Sequence, residues 1–239
     1  MSATALEPNE RDEVLYDEPV RHGSVRSSHA YYMLAFKMCL DEDDHWLNKL
    51  AVWSTSSHLD ETHNFEGMVS HVEILFHVTT QDNRPAWYRY SIMKSRGKQH
   101  ADGKVVWKPG VVHRIKTDPT FNSKYRFYKV EAPIDEVNAA LRFVEGQVGA
   151  PFNFYGYVLN FYFPFKIGVR NHREANRRRN LKWFCSELVV CAVQAAGMHE
   201  MQLMKACAVS PNELFRMVSN SSSCKPIMAE AYIRGDNIV

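Results

Sequence analysis

The sequence predicts an α+β domain in which an antiparallel sheet packs against helices. Two observations carry that expectation. Short β-type runs punctuated by Gly, Pro and Asp-Gly follow one another between positions 70 and 130, the spacing of consecutive strands that pair antiparallel. Helix-type periodicity stands on either side of them, at 45–57, 134–146 and 185–197.

Residues 1–28 mix Glu, Asp, Arg, Pro and Ser with few apolar positions and read as a flexible polar tail. The domain is expected over 29–220, with 221–239 set apart as a C-terminal extension. From Ala30, the run AYYMLAFKMCL suits a buried strand. Asp41-Glu42-Asp43-Asp44 then places acidic residues where a helix dipole welcomes them, a better account of that run than a metal site. Trp46, Leu47, Leu50, Ala51 and Trp53 continue at largely helical spacing. Positions 54–69 read as a loop, and its His58 and His63 match no zinc spacing. The stretch Ser70-His71-Val72-Glu73-Ile74-Leu75-Phe76 reads as a strand with a histidine near its start, and further strands are expected at 87–94, 104–106, 111–115 and 125–130. Pro133 opens a helix over 134–146 whose apolar face is Val137, Ala140, Leu141 and Val144. Another helix begins at Cys185 and stops at Gly197, a residue type favoured just past a helix end.

Composition narrows the class. Of 239 residues, 45% are hydrophobic, enough for a substantial core without disulfides or metal. A net charge of +2 is too small to imply a nucleic-acid partner for the whole chain. The five cysteines are an odd number without framework spacing, and Met1 to Arg26 has no apolar signal-peptide core. A cytoplasmic location with free thiols is therefore expected. Ser2 in place of glycine argues against myristoylation, and the C-terminus carries no prenylation motif.

Two residues carry the candidate chemistry. Cys185, in the first turn of its helix, faces unpaired backbone N–H groups and the positive end of the dipole, both of which favour thiolate. It is expected at the exposed end of a face shared with Leu188 or Val189 and Ala192, whereas Cys191 points elsewhere and packs. On the His71 strand, Val72, Ile74 and Phe76 form the apolar side, while His71, Glu73, Leu75 and His77 share the other. His71 is thereby left on a side expected to reach the cysteine helix. A thiol and an imidazole far apart in sequence are the parts of a nucleophile and its general base.

"SHVEILF" ahead of "FCSELV" resembles the circularly permuted branch of the NlpC-type papain-like cysteine hydrolases, which includes the YiiX-like proteins and, more distantly, the lecithin:retinol acyltransferase group. "HWLNKLAVWSTSS", "ALRFVEGQVGAPFNFYG" and "SPNELFRMV" fit the same pattern, so the resemblance spans roughly 30–220. It implies a permuted papain-like fold with the nucleophile helix packed on the sheet, Cys185 as nucleophile, His71 as general base and no cofactor or metal. Relatives place a polar residue on the strand after the histidine to orient the imidazole. Here that slot falls on Met93, so Ser91, which shares its face with Ser95, is the expected orienting residue, with His100 and His113 as outside alternatives. Phe152 stands where relatives often carry tyrosine; with Tyr155 and Tyr157 it forms the expected substrate pocket, and oxyanion stabilisation would rest on backbone N–H groups at the Cys185 helix start.

Positions 150–182 read as an aromatic and basic insertion. Its aromatic part contains too many breaks for a transmembrane helix and suits an acyl-chain pocket, a bilayer surface or an apolar loop on the core. Arg170, Arg173, Arg177, Arg178, Arg179 and Lys182 suit an anionic membrane surface or another polyanion, or simply a solvated insertion. The expected activity is a thiol hydrolase acting on peptide-like amides or lipid-like esters. An acyltransferase or phospholipase of the same fold, and a non-catalytic binding protein using the basic insertion, stand as alternatives.

Overall fold

The structure is a computed structural model that describes residues 30–38, 69–79, 85–93, 96–99, 105–107, 110–117, 124–153, 157 and 182–227. Strands β1 (Ala30–Met38), β2 (Val69–Thr79), β3 (Pro85–Met93), β6 (Val111–Thr117), β7 (Tyr125–Ala132) and β8 (Cys224–Ile227) form one six-stranded sheet in the order β6-β3-β2-β1-β7-β8. Every neighbouring pair in it is antiparallel. Strands β4 (Arg96–Gln99) and β5 (Val105–Trp107) make a separate two-stranded ribbon. The α+β expectation holds: the sheet is antiparallel and helices cover it.

The helices are α1 (Ile134–Glu145), α2 (Cys185–Ala195), the short α3 (His199–Gln202) and α4 (Pro211–Asn220), with a 3-10 turn at Ala206–Ala208. Each boundary has a local cause. Asp135 and Glu136 occupy the first turn of α1, where the dipole favours them. Gly197, at φ 80°, takes the left-handed turn just beyond α2. At α4, Ser210 and Glu213 form a reciprocal capping box, with Pro211 as the first helical residue.

The main core lies between the helices and one sheet face. Leu34, Phe36, Val72, Ile74 and Phe76 supply the sheet side, and Val137, Leu141, Val189, Val193 and Leu214 the helix side. Burying a side chain of this size contributes roughly 1.5–3 kcal/mol relative to leaving it exposed. The opposite face has its own buried cluster of Met33, Ala35, Leu75 and Phe127. β1 is therefore apolar on both faces, which is why its sequence shows a continuous run instead of alternation.

Several expectations need adjustment. β8 lies in the stretch set apart as an extension, and it closes one edge of the sheet by pairing with β7. β4 is absent from the sequence reading because Arg96-Gly97-Lys98-Gln99 has no apolar alternation. Residues 150–153, the first of the expected aromatic and basic insertion, are hydrogen-bonded to neighbouring segments. The Val112 and Phe152 amides donate to Ala150 O (2.9 Å) and Gly110 O (2.7 Å), and Trp183 N–H donates to Pro151 O at 3.0 Å. The segment is thus stitched between β6 and the chain leading into α2. The expected helix at 45–57, its acidic start, His58, His63 and His100 lie outside the described residues. Among the described residues, no helix is long and apolar enough to cross a membrane.

Candidate active site

Four side chains from three elements meet at the start of β2. Between β1 and β2 the register slips from Lys37↔His71 to Met38↔Val69, leaving Ser70 as the extra residue of a bulge. Bulges re-aim the side chains beside them. The β2–β3 ladder runs only from Ile74↔Tyr90 to Thr79↔Pro85, so Val69–Glu73 have no ladder partner in β3. The site occupies this parted end of the sheet. Asn212, from the first turn of α4, anchors it: its Oδ1 accepts the Val69 amide at 2.6 Å.

Cys185 is the first residue of α2, and its helix packs on the Val72 side of the sheet. The thiol is buried, with the residue 6% exposed, and not at the solvent-facing end that the helix position alone implied. Burial works against the thiolate, but the His71 charge, a hydrogen bond from His71 and the backbone N–H groups of Val72 and Ser186 together hold the thiol below its usual range. Val72 can give its N–H to sulfur because β2 has parted from β3 there.

His71 keeps 17% of its side chain exposed. Burial disfavours its charged form, but the Cys185 sulfur, through its charge and a hydrogen bond, and then Glu73 outweigh that and push the imidazole up. Nε2 lies 2.8 Å from Ser91 Oγ and 3.3 Å from Glu73 Oε1. Both contacts use Nε2, which leaves Nδ1 as the nitrogen to meet the thiol. In the imidazolium form, Nε2–H donates to Ser91 Oγ, and Glu73 Oε1 is a neighbouring charge at 3.3 Å without a hydrogen bond of its own among the described residues; Ser91 adds a smaller contribution to the lowering of Glu73. Burial pushes Glu73 up, but His71, then Arg89 and Ser91, bring it below the usual carboxylate range. Arg89 Nη1 stands 3.9 Å from the other oxygen of Glu73.

Cys185, His71 and Ser91, the residues expected from the sequence, are brought together by the fold. Glu73 joins them as an unexpected neighbour of His71. The signal was present, since residues two apart on a strand share a face, but the family pattern directs attention to the following strand. Met93 ends β3, and its backbone pairs with Val111. His113 sits buried on β6 directly opposite Ser91. His77 lies further up β2, exposed and stacked at 4.9 Å on Trp87, away from the thiol.

Phe184, immediately before Cys185, is fully buried. Its N–H is taken by the carboxyl of Glu187, three residues on. Ser186 Oγ donates to Val209 O at 2.6 Å and fixes the first turn of α2 against the 3-10 segment. Of the expected pocket residues, Phe152 bridges to Trp183 and stacks at 5.7 Å on Tyr157, whose ring is 6.4 Å from Phe184. These two rings therefore stand beside the chain that leads into α2. Tyr155, Arg170, Arg173, Arg177, Arg178 and Arg179 lie outside the described residues, and Lys182 is exposed. Cys191 is half-buried and packs between the two helix-side clusters, as its position around the helix predicts. No model of a known protein family, no curated protein and no solved structure matches the chain.

Proposed function

We propose that the chain is a thiol hydrolase of permuted papain-like architecture that cleaves an amide or ester bond through a covalent acyl-enzyme. The observation that carries this reading is the juxtaposition of Cys185, the first residue of its helix, with a His71 whose Nε2 is hydrogen-bonded to Ser91 and lies 3.3 Å from Glu73, so that thiol and imidazole shift each other's titration. A thiolate beside an imidazolium is the reactive form of such a pair.

The steps follow from that charge distribution. The Cys185 thiolate attacks the carbonyl carbon, and the carbonyl oxygen takes the electron pair. In this reading, backbone N–H groups at the start of α2 stabilise that oxyanion. As the carbon–heteroatom bond breaks, the imidazolium gives its proton to the departing nitrogen or oxygen, leaving a thioester on Cys185 and a neutral His71. His71 then takes a proton from water, whose hydroxide attacks the thioester and restores the thiolate with release of the carboxylic acid. Peptide-like amides and lipid-like esters are the two substrate classes that the resemblance of the sequence supports. Transfer to another acceptor uses the same acyl-enzyme and differs only in what replaces water.

The test is to incubate the full chain with short acyl p-nitrophenyl esters and N-acyl amino-acid amides and follow product release and the mass of each cysteine peptide. An acyl adduct on Cys185 with turnover, both lost in Cys185→Ser, is expected. Labelling of Cys185 no faster than Cys191, with no turnover on any ester or amide, overturns the reading. An added alcohol or amine that captures the acyl group faster than water identifies a transferase.

A further inference from the structure

At the opposite end of the nucleophile helix, a cavity of about 340 Å³ opens between the C-terminus of α2, the start of α1 and the end of β7. Eleven residues of helix separate it from Cys185, about 16 Å at the α-helical rise. Three negative features converge there. Glu136 enters from the first turn of α1 and Glu200 from α3. The third is the C-terminus of α2, the partial negative end of its dipole. Glu136 lies over that helix end: a Cβ built on Gly197 would stand 3.6 Å from Glu136 Cδ. Glu200 Oε1 accepts from the hydroxyls of Ser221 and Ser223, each at 3.2 Å. Glu131, at the rim, is already engaged by Lys129 and Lys225. The lining includes His199 but no Lys or Arg.

Tyr32 also lines this cavity. It is fully buried, and among the described residues its hydroxyl has no hydrogen-bond partner. A buried phenol left in that condition is unfavourable and calls for an explanation. Burial first, then Cys224, Glu136 and Glu200, keep it protonated, so it retains lone pairs for a donor and a proton for a carboxylate. Among the described residues, no three His, Cys, Asp or Glu side chains are grouped as metal ligands. An organic cation fits better, because Val130, Pro133 and Met198 give the remaining lining, which also holds His199 and Ser223, an apolar part.

We propose that this cavity binds an alkylammonium group, its charge between Glu136, Glu200 and the Tyr32 hydroxyl and its stem along Val130, Pro133 and Met198. The ammonium supplies three donors to groups that include one orphaned oxygen, and its single positive charge offsets part of the negative charge that two carboxylates place beside a helix C-terminus. A free amine and the side chain of a lysine in a polypeptide share this chemistry. The proposal stands independently of the catalytic reading.

The test is a titration of the full chain with n-butylammonium, followed through the Gly197 amide and Tyr32 ring signals by NMR, with n-butanol as the neutral match. Saturable shifts confined to this end of α2 are expected, with butanol at least about tenfold weaker because it lacks the charge-assisted contacts. Glu136→Gln and Glu200→Gln should each weaken butylammonium several-fold, and Tyr32→Phe should weaken it while the protein remains folded. Tighter binding of Nα-acetyl-lysine methylamide than of butylammonium identifies a polypeptide lysine as the source, and the reverse order a free amine. Absence of saturable shifts, or equal binding of butanol, overturns the proposal. So does a Tyr32→Phe protein that melts higher and binds butylammonium unchanged, since the hydroxyl is then merely unsatisfied.

Discussion

Glu73 Oε1 lies 3.3 Å from Nε2 of His71, and the two side chains spring from alternate positions of one strand. The carboxylate that steadies the imidazole is thus carried on the same rigid element as the imidazole itself. Its register cannot slip relative to the histidine without breaking β2.

The first prediction concerns the thiol. The Cys185 thiol is held below its ordinary range and His71 above its own, so the ion pair populates the interval between the two. Alkylation of Cys185 should remain fast at pH 6, where an ordinary thiol of pKa about 8.5 is almost wholly protonated. In His71→Ala only the backbone donors oppose burial, and the thiol should rise. The rate at pH 6 should then fall by about two orders of magnitude, while Cys191 is unaffected. Peptide-resolved mass spectrometry over pH 5–9 reads both sites at once.

Glu73→Gln tests the orienting pair. Removing the charge lowers the imidazolium pKa, so the alkaline limb of the Cys185 alkylation or turnover profile should move to lower pH. The acid limb, set mainly by the thiol, should move less. Ser91→Ala removes the nearer acceptor but leaves the carboxylate; a loss of about tenfold in kcat with a smaller shift of the alkaline limb is expected. A merely structural role for Glu73 would lower activity at every pH without moving that limb.

Glu187 gives a stability prediction with a definite sign. Burial pushes its carboxyl up to about 7, although the Phe184 N–H favours the charged form. The folded pKa exceeds the unfolded one, so folding is penalised when the group must ionise. The penalty is absent below the unfolded carboxyl range, grows as pH rises toward 7 and is complete above it. Glu187→Gln keeps an oxygen for the Phe184 N–H and removes the charge. It should therefore raise stability at pH 8, by up to about 3 kcal/mol from the shift alone, and change little at pH 4.5. Thermal melts at the two pH values decide it.

How far the sequence made this site readable depends on the kind of periodicity involved. Period-two alternation put Val72, Ile74 and Phe76 in the core, and helical spacing put Val137, Ala140, Leu141 and Val144 there; all are buried. Cys185 and Gly197 marked the ends of α2 because capping is local chemistry. What escaped depends on contacts between distant segments. The Ser70 bulge and the early end of the β2–β3 ladder have no local signature, yet they let Val72 donate to sulfur. Residues 150–153 read as loop because their partners are backbone groups of β6 and Trp183. β8 is short and contains Pro226, which is tolerated because this strand lies at the sheet edge.

Asn212 links the far helix to the site and provides the last prediction. Its residue is 7% exposed, and its Oδ1 accepts the Val69 N–H at 2.6 Å. Val69 is one residue before the bulge and two before His71, so this bond fixes where β2 begins. Asn212→Ala leaves a buried backbone donor without its acceptor, which should destabilise the fold by about 1–3 kcal/mol. Asn212→Asp keeps an acceptor and should recover most of that stability, since a carboxylate at a helix N-terminus is also favoured by the dipole. If the bond serves chiefly to hold His71 against Cys185, Asn212→Ala should in addition reduce the alkylation advantage of Cys185 at pH 6. That reduction should be absent in Leu214→Ala, which opens a cavity in the same helix by removing a buried side chain on its core side. Measuring stability and pH 6 reactivity on the three variants separates anchoring of the strand from general loosening of the core.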